Sequence, residues 1–119
     1  MLPRRHRLTR PGEFTAVLRG DRGCARPPRA GHRLLVLHAR PSDEPRPARL
    51  GLVVSSAVGN SVVRHRVSRR LRAVMAPVVA SAAPGTDFVI RANPAAAQAT
   101  SAELRDAVDQ CLSRVDRRG

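Results

Sequence analysis

Residues 59–72, with the sequence GNSVVRHRVSRRLR, constrain the fold more than any other segment of this chain. A helix turns about 100° per residue, which places the apolar residues of this region on one stripe, namely Val63, Val67, Leu71, Val74 and Val78. The basic residues gather on the opposite side, with His65, Arg66, Arg69 and Arg72 at its centre and Arg64 and Arg70 at its borders. We therefore predict a helix with one side packed on a core and the other side facing an anion.

The charge of the whole chain agrees with an anionic partner. There are 22 basic and 9 acidic residues, which give a net charge of +13, and every one of the 22 is arginine. Arginine binds phosphate through paired N–H groups. Phe14 and Phe88 are the only phenylalanine, tyrosine or tryptophan residues, which argues against a domain that stacks RNA bases on several rings. The composition therefore predicts nucleic-acid binding through phosphate and shape.

The length of 119 residues fits one domain, with residues 1–10 as a basic N-terminal arm. We predict a first helix at 11–19, a turn-rich connection with at most a very short strand near 23–26, and strands at 33–39 and 48–55 that pair as antiparallel neighbours. Further along, we predict the basic helix from 59 to about Met75, a short buried strand at 86–91 with the sequence TDFVIR, and a last helix at 97–115.

The ends of the basic helix have their own signals. Asn60 or Ser61 can cap its first N–H groups, and Pro77 is expected to disturb or end it. The resulting order, α-β-β-β-α-β-α, predicts an α/β protein of the α+β two-layer sandwich type, in which helices pack on a small mixed sheet.

No catalytic or metal centre is predicted within the chain. Metal-dependent phosphodiester hydrolysis needs several converging carboxylates, whereas Glu103, Asp106 and Asp109 have the spacing of a solvated helix face. Cys24 and Cys111 lack metal-binding spacing, and we expect reduced thiols in a cytoplasmic protein. The basic N-terminus has no apolar signal region, and the apolar stretch at 74–83 is too short to span a membrane.

The stretch GLVVSSAVGNSVVRHRVSRRLR at 51–72 resembles the signature of the bacterial ribonuclease P protein subunit. The similarity continues in order through RHRL at 5–8, EFTAVL at 13–18, RLLVLHA at 33–39 and DFVIRANP at 87–94. It implies a small basic partner of a catalytic RNA, the ribonuclease P RNA. Together, the RNA and the protein remove the 5′ leader of precursor tRNA by hydrolysing one phosphodiester bond.

The resemblance also implies how the work is divided. In that family the RNA holds the catalytic Mg2+, so the protein belongs to an endoribonuclease without supplying its catalytic residues, and no stable protein partner is required. The family fold contains a left-handed strand–helix–strand crossover around the basic helix, which is an exception to the usual right-handed rule.

Residue roles follow from the resemblance position by position. Binding of the catalytic RNA falls on the basic helix, the turn before it and the arm: Arg64, His65, Arg66, Arg69, Arg70, Arg72, Asn60, Ser55, Arg5 and Arg7. The leader-binding cleft, formed by the first helix and the central sheet, falls on Phe14, Leu18, Val36, His38 and Val53. The sequence departs from the family at His65, where asparagine is usual, and at Leu18 and His38, where aromatic side chains are common.

Other interpretations compete with this one. Phe14 and Leu18 have the spacing of core residues as well as of cleft residues. A ribosome-associated or general RNA-binding protein with no role in catalysis would share the basic helix. A basic amphipathic helix lying on a membrane surface is a weaker interpretation, because so short a chain needs the apolar stripe for its core.

Overall fold

The structure is a computed structural model that describes residues 6–8, 11–19 and 28–118. Its elements in chain order are α1 (Pro11–Arg19), β1 (Arg29–Gly31), β2 (Leu35–Arg40), β3 (Arg49–Val53), α2 (Ser61–Ser81), β4 (Asp87–Ala92) and α3 (Ser101–Arg118). A short 3₁₀ helix, Pro94–Gln98, precedes α3. The predicted order and the α+β class are confirmed, while the suggested strand near 23–26 lies outside the described residues.

The four strands form one mixed sheet in the order β1-β2-β4-β3. β2 pairs with β4 in antiparallel fashion, and β3 pairs with β4 in parallel. The prediction that β2 and β3 are antiparallel neighbours is therefore wrong, because β4 lies between them. Its first four residues are all buried, and such a continuous buried run is typical of a central strand covered on both faces.

The parallel pair β3–β4 requires a crossover connection, and α2 supplies it. Asn60 caps α2 as predicted, since its Oδ1 accepts a hydrogen bond of 3.0 Å from the N–H of Val63. The helix continues through Pro77 to Ser81, so the prediction that it ends near Met75 is wrong. Pro77 lies on the exposed side, where the loss of one N–H donor is tolerated, and Val79 behind it is buried in the core.

The last predicted helix is divided in two, and a capping box explains where α3 begins. The N–H of Thr100 donates to Glu103 Oε1 at 3.0 Å, and the N–H of Glu103 donates to Thr100 Oγ1 at 3.1 Å. Hydrogen bonding of the Glu103 carboxylate by the backbone N–H and the side chain of Thr100 holds the pKa of Glu103 below its usual value. Residues 94–98 consequently form a separate 3₁₀ turn next to α2.

The two faces of the sheet carry different helices. Leu35, Leu37 and Ile90 point to one face and join the main core with α2 and α3. Val89 points to the other face, where it packs with Val17 of α1 and with Leu8. The two-layer arrangement thus describes the sheet with α2 and α3, and α1 adds a partial layer on the opposite face.

A cluster of ion pairs fixes α1 to the sheet. The carboxylate of Asp87, at the start of β4, accepts hydrogen bonds from Arg46 at 2.8 and 2.9 Å and from Arg49 at 2.9 and 3.0 Å. Arg49 also pairs with Glu13 of α1, and Arg46 also pairs with Glu44. One end of α1 is therefore tied through Arg49 to the beginning of the central strand.

Candidate nucleic-acid interface

The basic side of α2 is partly exposed in the way that its periodicity predicts. Val67 and Leu71 are buried, as is Val74, whereas His65 and Arg69 on the opposite side are exposed. His65, Arg66 and Arg69 line a shallow depression together with Ser61 and Val62 at the start of the helix. The first turns of α2 therefore present a basic surface with an apolar side chain beside it.

Two of the predicted RNA-binding arginines also form hydrogen bonds within the protein. Arg66 Nη2 donates to the carbonyl oxygen of Ala97 at 3.1 Å, and Arg70 Nη1 donates to the carbonyl oxygen of Ala99 at 2.7 Å. These bonds hold the 3₁₀ segment against α2. A guanidinium has five N–H donors, so each arginine keeps donors for a phosphate after making such a bond.

Arg72 extends the basic surface toward the N-terminal arm. It lines a small pocket with Arg7, Leu8 and Phe14, and with Leu50 and Leu52 of β3. Arg7 forms a parallel bridge with Leu50, and the N–H of Leu8 donates to the carbonyl oxygen of Leu50 at 2.8 Å. Arg7 and Arg72, two predicted RNA-binding residues from distant parts of the sequence, thus line the same pocket. Arg5 lies outside the described residues.

The turn before α2 uses its predicted binding residues to shape the backbone. Ser55 Oγ accepts a hydrogen bond of 3.3 Å from the N–H of Ala57, and the carbonyl oxygen of Ser55 accepts one of 3.0 Å from Val58. Asn60 caps the helix, as described above. The side chain of Ser55 therefore shapes the turn before α2, and the side chain of Asn60 caps the first turn of the helix. Their contact with RNA stays a prediction. Arg64, in that first turn, is half-buried.

The predicted leader-binding cleft lies on the face of the sheet that α1 covers only in part. Phe14 and Leu18 of α1 are half-buried and pack against Val17 and Val89. Each therefore combines core packing with partial exposure, so the two roles offered for them from the sequence are compatible. Val36 and Val53 are also half-buried, at the edge of the area that α1 covers.

His38 does not lie on the cleft surface. It is only 3% exposed, because it occupies the same row of the sheet as Val89, and Val89 packs beneath α1. A direct contact between His38 and a bound strand is not available in this conformation. The family resemblance assigned His38 to the cleft, but it contains no information on how far α1 covers this position.

Sequence reasoning missed Arg91, which is exposed on the same face. The segment TDFVIR was interpreted as a buried strand as a whole, yet residues two apart on a strand share a face. Because Val89 faces α1, Arg91 faces that side too. This alternation was the signal that could have identified it.

Among the described ranges, no group of three or more histidine, cysteine or acidic residues is arranged to hold a metal ion. Cys111 is a buried free thiol, and its pKa is raised, chiefly by burial. In the part of the chain that the structure describes, no helix has the length and apolar character needed to cross a membrane.

The fold and these two surfaces define a class: a small basic α+β protein whose basic helix and adjoining groove have the properties of a nucleic-acid interface. A model of the Ribonuclease P family matches residues 2–116. The chain therefore belongs to the Ribonuclease P family.

Similar proteins agree with this family assignment, and solved structures have the same fold. The chain is 50% identical to the Ribonuclease P protein component of Mycobacterium sp. strain KMS over 116 residues, which covers 96% of this chain and 92% of the relative. It is 48% identical to that of Beutenbergia cavernae, with coverage of 95% and 90%. The RNase P protein of Staphylococcus aureus has the same fold, with a TM-score of 0.75 at 21% identity and coverage of 91% and 93%. That of Thermotoga maritima gives 0.70 at 17% identity, with coverage of 89% and 94%.

Proposed function

We propose that this chain binds the ribonuclease P RNA through the basic side of α2 and, as part of that complex, takes part in removing the 5′ leader of precursor tRNA. Processing of the tRNA 5′ end is the function of this family. The observation that carries the proposal for this chain is the exposure of His65 and Arg69 beside the capped start of α2. A ribosome-associated or general RNA-binding role is not favoured, since the family match spans residues 2–116.

In this proposal the RNA performs the catalysis and holds the Mg2+ ions. The complex acts in the cytoplasm. The acidic side chains of the protein support that division, because several have structural partners. Asp87 binds Arg46 and Arg49, Glu13 binds Arg49, and Glu103 caps α3. Carboxylates engaged in this way are compensated by arginine side chains or cap a helix, and they stabilise the fold.

The second part of the proposal concerns precursor tRNA. We assign its single-stranded 5′ leader to the groove between α1 and the sheet, bordered by Phe14, Leu18, Val36 and Val53. The groove and the basic side of α2 are connected through the pocket that Arg7 and Arg72 line with Phe14. One RNA partner on α2 and a second strand in the groove can therefore be held at the same time.

Reconstitution tests the proposal directly. The protein is added to a bacterial ribonuclease P RNA, and cleavage of precursor tRNA is measured at low Mg2+ concentration. We expect the rate to rise about tenfold or more over RNA alone, because a protein with net charge +13 relieves the repulsion between two polyanions. A rate no higher than that of the RNA alone would refute the proposed function.

Replacing Arg69 by alanine tests the role of α2. We expect Arg69→Ala to weaken binding to ribonuclease P RNA about fivefold, and to make the slope of log K against log salt concentration less steep by about 0.9, since one phosphate contact is lost. Arg69 is exposed, so its removal should leave the melting temperature unchanged. Binding is measured by filter retention over a range of salt concentrations.

Arg105→Ala is the matched control for that experiment, because Arg105 is an equally charged, exposed residue on the outer side of α3. It removes the same net charge from a different surface. If Arg105→Ala reduces affinity and salt dependence as much as Arg69→Ala does, binding depends on net charge alone and the assignment to α2 is wrong.

A further inference from the structure

One row of residues on the α1 side of the sheet crosses all four strands at the same level. In the register of the sheet, Gly31 pairs with Val36, Val36 pairs with Arg91, and Arg91 pairs with Val53. Residues that face each other across a sheet point to the same side. We call Gly31, Val36, Arg91 and Val53 the open row.

The described part of α1 covers the neighbouring row and leaves the open row accessible. A Cβ atom on Gly51, in that neighbouring row, would meet the ring of Phe14, whereas a Cβ atom on Gly31 would have no described atom within 4 Å. Arg91 is exposed, and Val36 and Val53 are half-buried. The open row therefore forms the floor of the groove beside α1.

Charge is distributed unevenly along this face of β4. At its start, Asp87 forms ion pairs with Arg46 and Arg49, and Glu44 and Glu13 complete the compensation of these two positive charges. At the level of the open row the charged residue is Arg91, and none of the carboxylates in the described ranges forms an ion pair with it. The floor of the groove thus carries a positive charge with an aliphatic side chain on each side.

We propose that Arg91 is a phosphate-binding residue of this groove, which holds the backbone of the single-stranded leader and does not read its bases. This inference rests on the proposed function and specifies which atoms of the leader the groove recognises. A guanidinium binds a phosphodiester oxygen through charge-assisted hydrogen bonds. Val36 and Val53 offer apolar contact but no side-chain donors or acceptors for a base edge.

The geometry of the row suits an extended strand. Neighbouring β-strands lie about 4.8 Å apart, so the row from β1 to β3 is roughly 14 Å long. An RNA leader laid along this row passes over Arg91 and continues past β3. It then approaches the turn that carries Ser55 and leads into α2. The leader would then be anchored between the groove and the RNA-binding helix.

The test uses the complex of the protein with ribonuclease P RNA, and compares a precursor tRNA that carries a leader with mature tRNA. We expect Arg91→Ala to weaken binding of the precursor about fivefold and to leave binding of mature tRNA and assembly with the RNA unchanged. Arg91→Lys should retain part of the affinity because it keeps the charge, and Arg105→Ala should retain all of it.

A phosphate-specific readout separates a direct contact from a structural effect. Single leader linkages are replaced by uncharged methylphosphonates, and affinity is measured for the wild type and for Arg91→Ala. At one or two linkages the replacement should weaken wild-type binding and have no further effect on Arg91→Ala, since the same contact is already absent. Equal losses for both proteins at every linkage would overturn the role of Arg91.

The same data distinguish failure of this inference from failure of the proposed function. If the wild-type complex binds precursor and mature tRNA equally well, both the groove as a leader site and the role of Arg91 are wrong. If the wild-type complex prefers the precursor and Arg91→Ala keeps the full preference, only the role of Arg91 is wrong. Varying the leader sequence at constant length should change wild-type affinity by less than removing the Arg91 charge does.

Discussion

Replacing Asp87 by alanine is expected to lower the free energy of unfolding by about 3 kcal/mol, the lower end of the range for removing one partner of a buried ion pair. Asp87 is only 1% exposed and accepts four hydrogen bonds, two from Arg46 and two from Arg49. Without the carboxylate, two guanidinium groups are left side by side. Both arginines are about one-fifth exposed, so water reaches them and limits the loss. Urea unfolding at pH 7 measures the difference.

The pH dependence of that stability has a defined sign. Burial raises the pKa of Asp87, but the hydrogen bonds from Arg49 and then Arg46 outweigh it, so its pKa in the folded protein lies below the usual value. A carboxyl group with a lowered folded pKa stabilises the fold above its unfolded pKa of about 3.9, and that stabilisation is lost as the pH falls below this value. Asp87→Asn should therefore flatten the acid limb of the stability profile.

A suitable control is Glu44→Gln, which removes a carboxylate that also pairs with Arg46. The Glu44 side chain is 62% exposed, so the expected loss is below about 1 kcal/mol. If Glu44→Gln and Asp87→Ala cost the same, the burial of Asp87 does not determine the strength of the cluster and the prediction is wrong.

The ion-pair cluster also connects stability to the proposed binding groove. Arg49 pairs with Asp87 and with Glu13, so the start of α1 is attached to the start of β4. Gly85, just before β4, has φ +85°, and a Cβ atom there would lie 2.7 Å from the carbonyl oxygens of Ser42 and Glu44. Backbone and side chains thus hold the 42–49 connection against the same end of the sheet that anchors α1.

Features governed by neighbours in sequence were predictable, and those governed by tertiary pairing were not. The stripe of α2 and its Asn60 cap depend on spacings of three and four residues, and the structure has both. The central position of β4 depends on pairing with β2 and β3, which lie more than 30 residues away, and local pattern contains little of that information.

The groove combines features that local sequence predicts with features that depend on tertiary contacts. Alternation along β2 and β4 is visible in the sequence and places His38 and Arg91 on the α1 side. Which of them is covered depends on where α1 crosses the sheet, and that position is set by Phe14 resting on Gly51 and by Glu13 pairing with Arg49. The spacing of residues along β2 and β4 therefore does not predict that His38 is buried and Arg91 is exposed.

The contact between Phe14 and Gly51 leads to the second large effect. A Cβ atom on Gly51 would lie 2.6 Å from Phe14 Cζ and closer still to Cε1, so Gly51→Ala must displace the ring or move α1. We expect this overpacking to lower the free energy of unfolding by about 1 to 3 kcal/mol. Because the ring borders the proposed leader groove, we also expect the preference for precursor over mature tRNA to fall about tenfold, with assembly on ribonuclease P RNA retained.

Gly12→Ala provides the matched control, since it makes the same chemical change within α1, where a Cβ atom meets no described atom within 4 Å. It should leave the preference for precursor over mature tRNA intact and stabilise the helix slightly, because alanine is the better helix former.

In the double variant Phe14→Ala with Gly51→Ala, the second substitution should cost little stability, since the clashing ring is gone. Thermal unfolding and the ratio of the two tRNA dissociation constants measure these effects. Two results would show that the contact of Phe14 with Gly51 does not shape the groove. One is loss of the preference for precursor over mature tRNA in Gly12→Ala, and the other is full retention of that preference in Gly51→Ala.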